Sequence, residues 1–293
     1  MTEATTAISR TGTLRELPTD EGVLRYHEVG EGPPLLLLHG SGPGVTGWRN
    51  YRGNLTAFSR HFRCLVLELP GFGVSDATPE HPMVAAPKAV QRFLAGLGLD
   101  RVDVVGNSMG GIVAANLAIE HPGLFKRIVT VGGIGPNIFS PAPGEGINLL
   151  VDFTENPTRE ALVRWMHSMV HDPDVVTEEM IEERWIQATD PDTLAAARRM
   201  YGRKALTAAM ASAEQSDQPP YWAMLHRIGV PALITWGRDD RVSPVDMALL
   251  PMRTMPRAEL HVLPDCGHWV MIEQKEAWES AVLAFLTRPG SDN

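Results

Sequence analysis

The chain has 293 residues, of which 44% are hydrophobic and 21% are charged, and its formal net charge is −9. This composition is ordinary for a globular protein that buries a core, organised as one large domain or as one domain with an insertion. The acidic balance argues against nucleic acid or a membrane surface as a partner, and no apolar run approaches the roughly 20 residues needed to span a bilayer.

The cysteines and the N-terminus bear on where the protein works. Cys64 lies in an apolar, strand-like run and Cys266 in a loop, so the pair offers neither a disulfide framework nor metal-ligand spacing. Residues 1–10 are polar and lack the apolar segment of a signal peptide. We therefore expect a cytoplasmic protein with no metal site.

The first half of the chain alternates strand and helix patterns. Two alternating segments, 13–17 and 23–29, predict an antiparallel edge. The segments that follow predict strands over 34–38, 64–69, 102–105 and 127–131, separated by helices around 50–60, 85–97 and 112–119. Continuous apolar strands that alternate with helices predict an α/β fold, a mostly parallel sheet with helices on both faces.

A helical insertion interrupts this rhythm after the sixth strand. No convincing strand occurs between about 135 and 222, where helices are predicted over 159–170, 177–188 and 191–210. Strands at 232–236 and 259–263 and a helix over 277–286 then resume the pattern. The sequence thus predicts a core of residues 1–135 and 223–293 and a helical cap of residues 136–222, above the carboxyl ends of the strands where such sheets bind ligands.

Ser108 lies in Gly106-Asn107-Ser108-Met109-Gly110, between a predicted strand and a predicted helix. This arrangement is typical of the nucleophile elbow of a serine hydrolase, in which two glycines permit a very tight turn. The motif alone is weak in a chain with 27 glycines, but its position between strand and helix supports it. Ser108 is the candidate nucleophile.

A serine hydroxyl needs an adjacent base and a third group that orients the base. In a hydrolase of this kind the acid and then the histidine follow the serine along the chain. His268 follows the last predicted strand and is the candidate base. Asp239 and Asp240 follow the strand at 232–236, and both remain candidates for the acid.

The third requirement is an oxyanion hole. One backbone N–H comes from the residue after the nucleophile, here Met109, and the other from a glycine-rich loop after an early strand. The loop 39–44 lies at that position, and we assign the second N–H to Ser41.

Two other classes of protein compete with this interpretation. Residues 42–47 match the pattern G-x-G-x-x-G after a strand, and Glu68 follows about twenty residues later, as in a dinucleotide site of an NAD-dependent oxidoreductase. That alternative leaves the order of Ser108, aspartate and His268 unexplained. A non-catalytic receptor that binds a small molecule under the cap is the other alternative.

From about Tyr26 to Leu286 the chain resembles the meta-cleavage product hydrolases. These α/β-hydrolases cleave a carbon–carbon bond of 2-hydroxy-6-oxo-hexa-2,4-dienoates, which arise in aromatic degradation. The motifs that carry the resemblance are residues 39–44, Trp48 with Asn50, and residues 106–111, 236–241 and 266–269. The resemblance favours Asp240 as the acid and implies an α/β-hydrolase fold, no cofactor, and a homo-oligomer of two or more subunits.

The resemblance also implies a set of substrate-binding residues. Arg198 in the cap corresponds to the cation for the dienoate carboxylate, with Arg199 as the neighbouring alternative. Gly42, Asn50, Asn107 and Trp269 correspond to positions near the substrate. The pocket for the group on the 6-oxo carbon is expected to be apolar and is assigned to Ile138, Phe139, Trp165, Met169 and Met200. A carboxylesterase or lactonase of the same fold remains the alternative function.

Overall fold

The computed structural model describes residues 8–289, apart from the side chains of residues 213 and 214. Most of the N-terminal segment 1–10, on which the expectation about a signal peptide rests, lies outside the described residues. One sheet of eight strands runs through the molecule in the order β1-β2-β4-β3-β5-β6-β7-β8. The strands are β1 Leu14–Thr19, β2 Gly22–Val29, β3 Pro34–Leu38, β4 Arg63–Glu68, β5 Val102–Asn107, β6 Phe125–Val131, β7 Ala232–Gly237 and β8 Ala258–Leu263.

The sheet confirms the predicted mixture of strand directions. β1 pairs antiparallel with β2, and β2 pairs antiparallel with β4. All remaining pairs, from β4 through β3 and β5 to β8, are parallel. β5 and β7 are buried at every position, as expected for strands covered by helices on both faces.

The helices of the core follow the predicted order with shifted bounds. The expected helix at 50–60 is two short helices. The core helices are α1 Arg10–Thr13, α2 Gly47–Tyr51, α3 Leu55–Phe58, α4 Pro82–Gly96, α5 Met109–Glu120, α11 Leu249–Thr254, α12 Val270–Glu273 and α13 Lys275–Leu286, with 3-10 turns at Tyr221–Arg227 and Val245–Ala248.

Between β6 and β7 the described chain contains helices and no strand, as predicted. These inserted helices are α6 Glu145–Glu155, α7 Arg159–Ser168, α8 Glu178–Ala188, α9 Pro191–Tyr201 and α10 Arg203–Glu214, with a 3-10 turn at Pro173–Val175. One helix was expected over 191–210, but the structure has two helices there. α9 ends at Tyr201, Gly202 is extended, and α10 begins at Arg203. α6 was not predicted.

The two faces of the sheet carry separate hydrophobic clusters. Leu35 and Leu37 of β3 belong to one and Leu36 and Leu38 to the other, because successive strand side chains point to opposite faces. The cluster containing Leu35 also includes Phe153 and Leu162 of the inserted helices. Among residues 8–289, no helix is both long and apolar enough to cross a membrane.

Candidate active site

The carboxyl ends of five parallel strands present the predicted site residues at one edge of the sheet. β3 leads to Ser41, β5 to Ser108, β7 to Asp240 and β8 to His268, while the glycines after β6 approach them. A cavity at this edge, here called the site cavity, is lined by residues of these loops and of the inserted helices. Ser108, His268 and Ser41 all line it, so the structure brings these residues together.

The turn at Ser108 has the geometry of a nucleophile elbow. Ser108 adopts φ 51° and ψ −114°, a conformation that a non-glycine residue rarely takes. A Cβ on Gly106 would lie 2.4 Å from the Gly110 carbonyl oxygen, and one on Gly110 would lie 2.3 Å from that of Leu38. Both motif glycines are therefore required for the strand, the turn and the helix to pack together.

His268, which lines the same cavity as Ser108, forms a buried pair with Asp240. The two atoms His268 Nδ1 and Asp240 Oδ2 lie 2.6 Å apart, and both residues are almost fully buried. An ionised carboxylate only accepts, so Nδ1 carries the proton and Nε2 is left to accept one. The other carboxylate oxygen accepts the backbone N–H groups of Val242 and Ser243 at 2.8 Å each, which fixes the Asp240 side chain.

Asp239 points elsewhere. It pairs with Arg238 at 3.1 Å, and its side chain is about one-third exposed. The hydrogen bond from the neighbouring Arg238 holds the pKa of the Asp239 carboxyl below its usual value, against the opposing effect of burial. Of the two adjacent aspartates, only Asp240 is bonded to His268 in the structure.

The glycine-rich loop after β3 is held by side chains on either side of it. The Leu69 N–H donates to His39 Nε2 at 3.0 Å, so His39 Nδ1 carries a proton and donates to the Gly40 carbonyl at 2.6 Å. Asn50 Oδ1 accepts the Gly40 N–H at 3.1 Å. These bonds set the course of the backbone up to Ser41. Met109 begins α5, where first-turn N–H groups have no partner within the helix.

The structure does not bring Arg198, which the resemblance implied as the cation for the dienoate carboxylate, to the site cavity. Arg198 is exposed and does not line the site cavity; its Nε donates to the Thr154 carbonyl at 2.9 Å. Its neighbour Arg199 donates to the Thr78 carbonyl and lines a different cavity. Neither arginine of α9 therefore lines the cavity that contains Ser108.

Arg184 of α8 is the arginine that lines the site cavity. It is 6% exposed, and its Nη1 donates to the Pro43 carbonyl at 2.8 Å. Its guanidinium carbon lies 4.7 Å from the ring centre of Trp269 and 5.5 Å from that of Trp165. No carboxylate lies within ion-pair distance of it among residues 8–289, so its described partners are neutral.

Burial and the neighbouring Arg49 lower the pKa of Arg184 to about 9, which leaves the guanidinium charged at neutral pH. A buried cation of this kind is costly unless an anion joins it. A signal for Arg184 exists in the sequence: Ile181, Arg184 and Ala188 share the buried face of α8 at spacings of three and four residues. A charged residue on an apolar helix face was the clue that sequence reasoning missed.

The other substrate-binding candidates divide into two groups. Six line the site cavity, namely Gly42, Asn50, Asn107, Trp165, Met169 and Trp269. Three do not, which corrects their assignment. Ile138 and Phe139 are 43% and 81% exposed, on a loop tied to Asp246, and Met200 lines a neighbouring apolar cavity beyond Ser41. Ile147, Leu150 and Val242 line the site cavity instead.

The geometry does not support a dinucleotide site at residues 42–47. Glu68 is buried, and its carboxylate accepts the N–H groups of Gly47 and Trp48 at 2.6 and 2.9 Å. The acid that would bind a ribose thus caps helix α2. Trp165 and the Arg184 backbone cover the glycines: a Cβ on Gly42 or Gly44 would lie 2.3 Å from them.

The fold and this arrangement agree with the comparisons with known proteins. The family model described as "alpha/beta hydrolase fold" matches residues 33–275. A relative from Burkholderia cepacia, a 2-hydroxy-6-oxo-6-phenylhexa-2,4-dienoate hydrolase, is 34% identical over 292 residues, with 98% of each chain covered. The chain belongs to the α/β-hydrolase fold family and, within it, to the 2-hydroxy-6-oxo-dienoate or meta-cleavage product hydrolases.

Two further proteins show the same relationship. A 2-hydroxy-6-oxononadienedioate/2-hydroxy-6-oxononatrienedioate hydrolase from Burkholderia vietnamiensis (strain G4 / LMG 22486) is 38% identical over 281 residues, covering 90% of this chain and 91% of the relative. The solved structure of a meta-cleavage product hydrolase from Pseudomonas fluorescens IP01 superposes with a TM-score of 0.84 at 25% identity, covering 94% of this chain and 98% of that one.

Proposed function

We propose that this enzyme hydrolyses the C5–C6 bond of a 2-hydroxy-6-oxo-hexa-2,4-dienoate, with Ser108, His268 and Asp240 as its catalytic triad. The observation that carries the proposal is the buried cation Arg184 in the same cavity as Ser108 and His268. An esterase needs no such cation. A dienoate carries a carboxylate at the end opposite to its reacting carbonyl, and a guanidinium binds a carboxylate through two parallel hydrogen bonds.

The chemistry divides into three steps. The dienol first loses its O2 proton and gains a proton at C5, which gives a 2,6-dioxo-3-ene. The electron pair released at C5 by cleavage can then delocalise through the C3=C4 double bond onto the 2-oxo group. Ser108, or a water that His268 deprotonates, then attacks C6, and the N–H groups of Ser41 and Met109 stabilise the oxyanion. The C5–C6 bond breaks, and its electron pair moves toward the 2-oxo group to give a 2-hydroxypentadienoate after protonation. When water attacks C6, the other product leaves directly as a carboxylic acid. When Ser108 attacks C6, the acyl group stays on Ser108 as an ester until a water that His268 deprotonates hydrolyses it.

The cavity also bears on the group attached to C6. Ile147, Leu150, Met169 and Val242 supply an apolar part of its lining. Arg184 is the one lysine or arginine that lines the cavity among the described residues. A second carboxylate at the far end of the substrate would have no cation beside it. We therefore propose an uncharged alkyl or aryl group on the 6-oxo carbon.

The test is to mix the enzyme with coloured dienoates that differ at C6 and to follow bleaching. We expect kcat/KM to be higher for a 6-phenyl or 6-alkyl dienoate than for a nonadienedioate, which carries a second carboxylate. Ser108→Ala should lower kcat by about 10³-fold or more, the scale of triad deletions. An unchanged rate in this variant would contradict the assignment of Ser108.

A parallel panel of nitrophenyl esters tests the esterase or lactonase alternative. Rapid ester hydrolysis with no bleaching of any dienoate would favour that alternative. Labelling of Ser108 by a fluorophosphonate separates both enzymes from a non-catalytic receptor, because labelling needs an activated serine. The homo-oligomer and the absence of a cofactor stay predictions of the resemblance.

A further inference from the structure

Tyr201 connects an inserted helix to the glycine-rich loop of the core. It is the last residue of α9, it lines the site cavity, and its hydroxyl forms a short hydrogen bond with Ser41 Oγ. Ser41 is 7% exposed. The bond spans 160 positions of sequence, so it exists only when α9 is seated over the loop.

The end of α9 is fixed at several points. Arg198 donates from Nε to the Thr154 carbonyl at 2.9 Å. Thr154 Oγ1 donates mainly to the Val151 carbonyl at 2.8 Å and also lies 3.4 Å from the Tyr201 carbonyl. The Gly202 N–H donates to the Arg198 carbonyl at 2.9 Å, and a Cβ on Gly202 would lie only 2.6 Å from that oxygen. Arg198 thus helps to hold the helix end that carries Tyr201.

The acidities of the two hydroxyls decide the direction of the bond. A phenol is a stronger acid than an aliphatic alcohol and is the better donor, so Tyr201 donates and Ser41 accepts. Burial raises the pKa of Tyr201 to about 12, which keeps the phenol protonated at neutral pH. Ser41 then retains its own proton for a third oxygen, and hydrogen bonds in such a chain strengthen one another.

We propose that Tyr201 is a positioning residue that acts through Ser41. Its phenol donates to Ser41 Oγ and turns the Ser41 hydroxyl toward a substrate oxygen in the site cavity. That hydroxyl supplements the Ser41 and Met109 N–H groups where negative charge develops on the substrate. No proton is transferred in this arrangement, because Tyr201 and Ser41 each keep their own proton and only share it in a hydrogen bond. The inference rests on the proposed function of the same site.

A double-mutant cycle tests the proposal. Tyr201→Phe, Ser41→Ala and the double variant are compared with the wild type in kcat and KM on the dienoate that bleaches fastest. Each single variant should lose about tenfold in kcat, the scale of one hydrogen bond, with little change in KM. The double variant should be no slower than Ser41→Ala, because Tyr201 has no effect once its acceptor is gone.

Additive losses would overturn the proposal, since a Tyr201 that acts by filling space would slow both backgrounds equally. Tyr221→Phe is the matched control. Tyr221 is also a half-buried tyrosine, its pKa is likewise raised to about 12 by burial, and its hydroxyl accepts the Gly135 N–H at 3.0 Å, but it does not line the site cavity. We expect it to lower thermal stability and to leave kcat near the wild-type value.

The cycle also separates this inference from the proposed function. A wild-type enzyme that bleaches no dienoate would refute the proposed substrate but not the coupling between Tyr201 and Ser41. In that case the same four proteins are compared on the nitrophenyl ester that is hydrolysed fastest. Coupling on the ester supports the positioning role, and additivity on the ester overturns it.

Discussion

Two adjacent aspartates have different surroundings, and this difference yields a sharp test of the triad. Asp240 is buried and bonded to His268, whereas Asp239 is partly exposed and paired with Arg238. Asp240→Asn should lower kcat by about 10⁴-fold, because an amide does not hold the tautomer of His268 that leaves Nε2 free. Asp239→Asn, measured in the same assay, should stay near the wild-type rate. The reverse ranking would reassign the acid to Asp239.

Arg184 and Arg198 form a second matched pair. Arg184→Gln removes the buried cation and should lower kcat/KM for a dienoate about 100-fold, on the scale of roughly 3 kcal/mol for charge-assisted hydrogen bonds. Hydrolysis of a nitrophenyl ester, which has no carboxylate, should fall much less. Arg198→Gln should lower the free energy of unfolding and leave KM for the dienoate nearly unchanged. If Arg184→Gln lowers kcat/KM equally for the dienoate and for the ester, Arg184 does not bind the substrate carboxylate.

At this scale the sequence predicts residues that belong to a local motif and fails for residues that depend on packing. Ser108 is found because its neighbours along the chain define the turn. The arginine of the site cavity is not found, because several of the inserted helices carry arginines and only the packing of each helix decides which arginine is buried. Arg184 and Arg198 lie on different helices, α8 and α9, and only α8 directs its arginine to the site cavity.

The loop after β6 gives a prediction for an element. The Asp246 carboxylate accepts the backbone N–H groups of Ile138, Phe139 and Ser140 and thereby holds this loop against the 3-10 turn at Val245–Ala248. Burial alone would raise the pKa of Asp246, but these bonds and the Ser140 hydroxyl outweigh it and lower the pKa to about 2.

A lowered pKa in the folded state means that Asp246 stabilises the protein above its unfolded pKa of about 3.9 and loses this effect as the pH falls toward 2. Asp246→Asn should therefore cost about 1–3 kcal/mol at pH 7, the scale of lost bonds to a charged group. The cost should shrink below pH 4. Urea unfolding at pH 7 and pH 3 measures it, with the exposed Asp217→Asn as control. If Asp246→Asn lowers the free energy of unfolding equally at pH 7 and pH 3, the negative charge of Asp246 is not what stabilises the loop.

Helix bounds were harder to predict than the existence of helices. α6 begins behind Pro141, Pro143 and Gly144, and a sequence so rich in turn residues indicates a loop. The stretch 191–210 has good helix-forming residues throughout, yet it breaks at Gly202 because the end of α9 is tied to Thr154. Tertiary contacts decided both cases, and local propensity carries no information about them.

For the molecule as a whole, the order of strands and helices predicted the sheet and the place of the insertion. Continuous apolar strands need cover on both faces, so the parallel sheet followed from periodicity alone. The face to which the inserted helices pack did not follow from periodicity. Their apolar residues Phe153 and Leu162 belong to the same hydrophobic cluster as Leu35 of the central strand β3. The inserted helices are therefore a separate segment of the sequence, but they share a hydrophobic cluster with the sheet.

This shared core predicts a single cooperative unfolding transition. Leu162 of α7 is fully buried in the cluster, and Leu162→Ala should cost about 2–5 kcal/mol, the usual range for such truncations. If the inserted helices and the sheet unfold together, urea curves from tryptophan fluorescence and from far-ultraviolet circular dichroism should coincide and shift together in this variant.

The exposed Ile186→Ala of α8 is the control and should shift neither curve. A plateau at intermediate urea, with only the early phase moved by Leu162→Ala, would show that the inserted helices unfold as a separate unit.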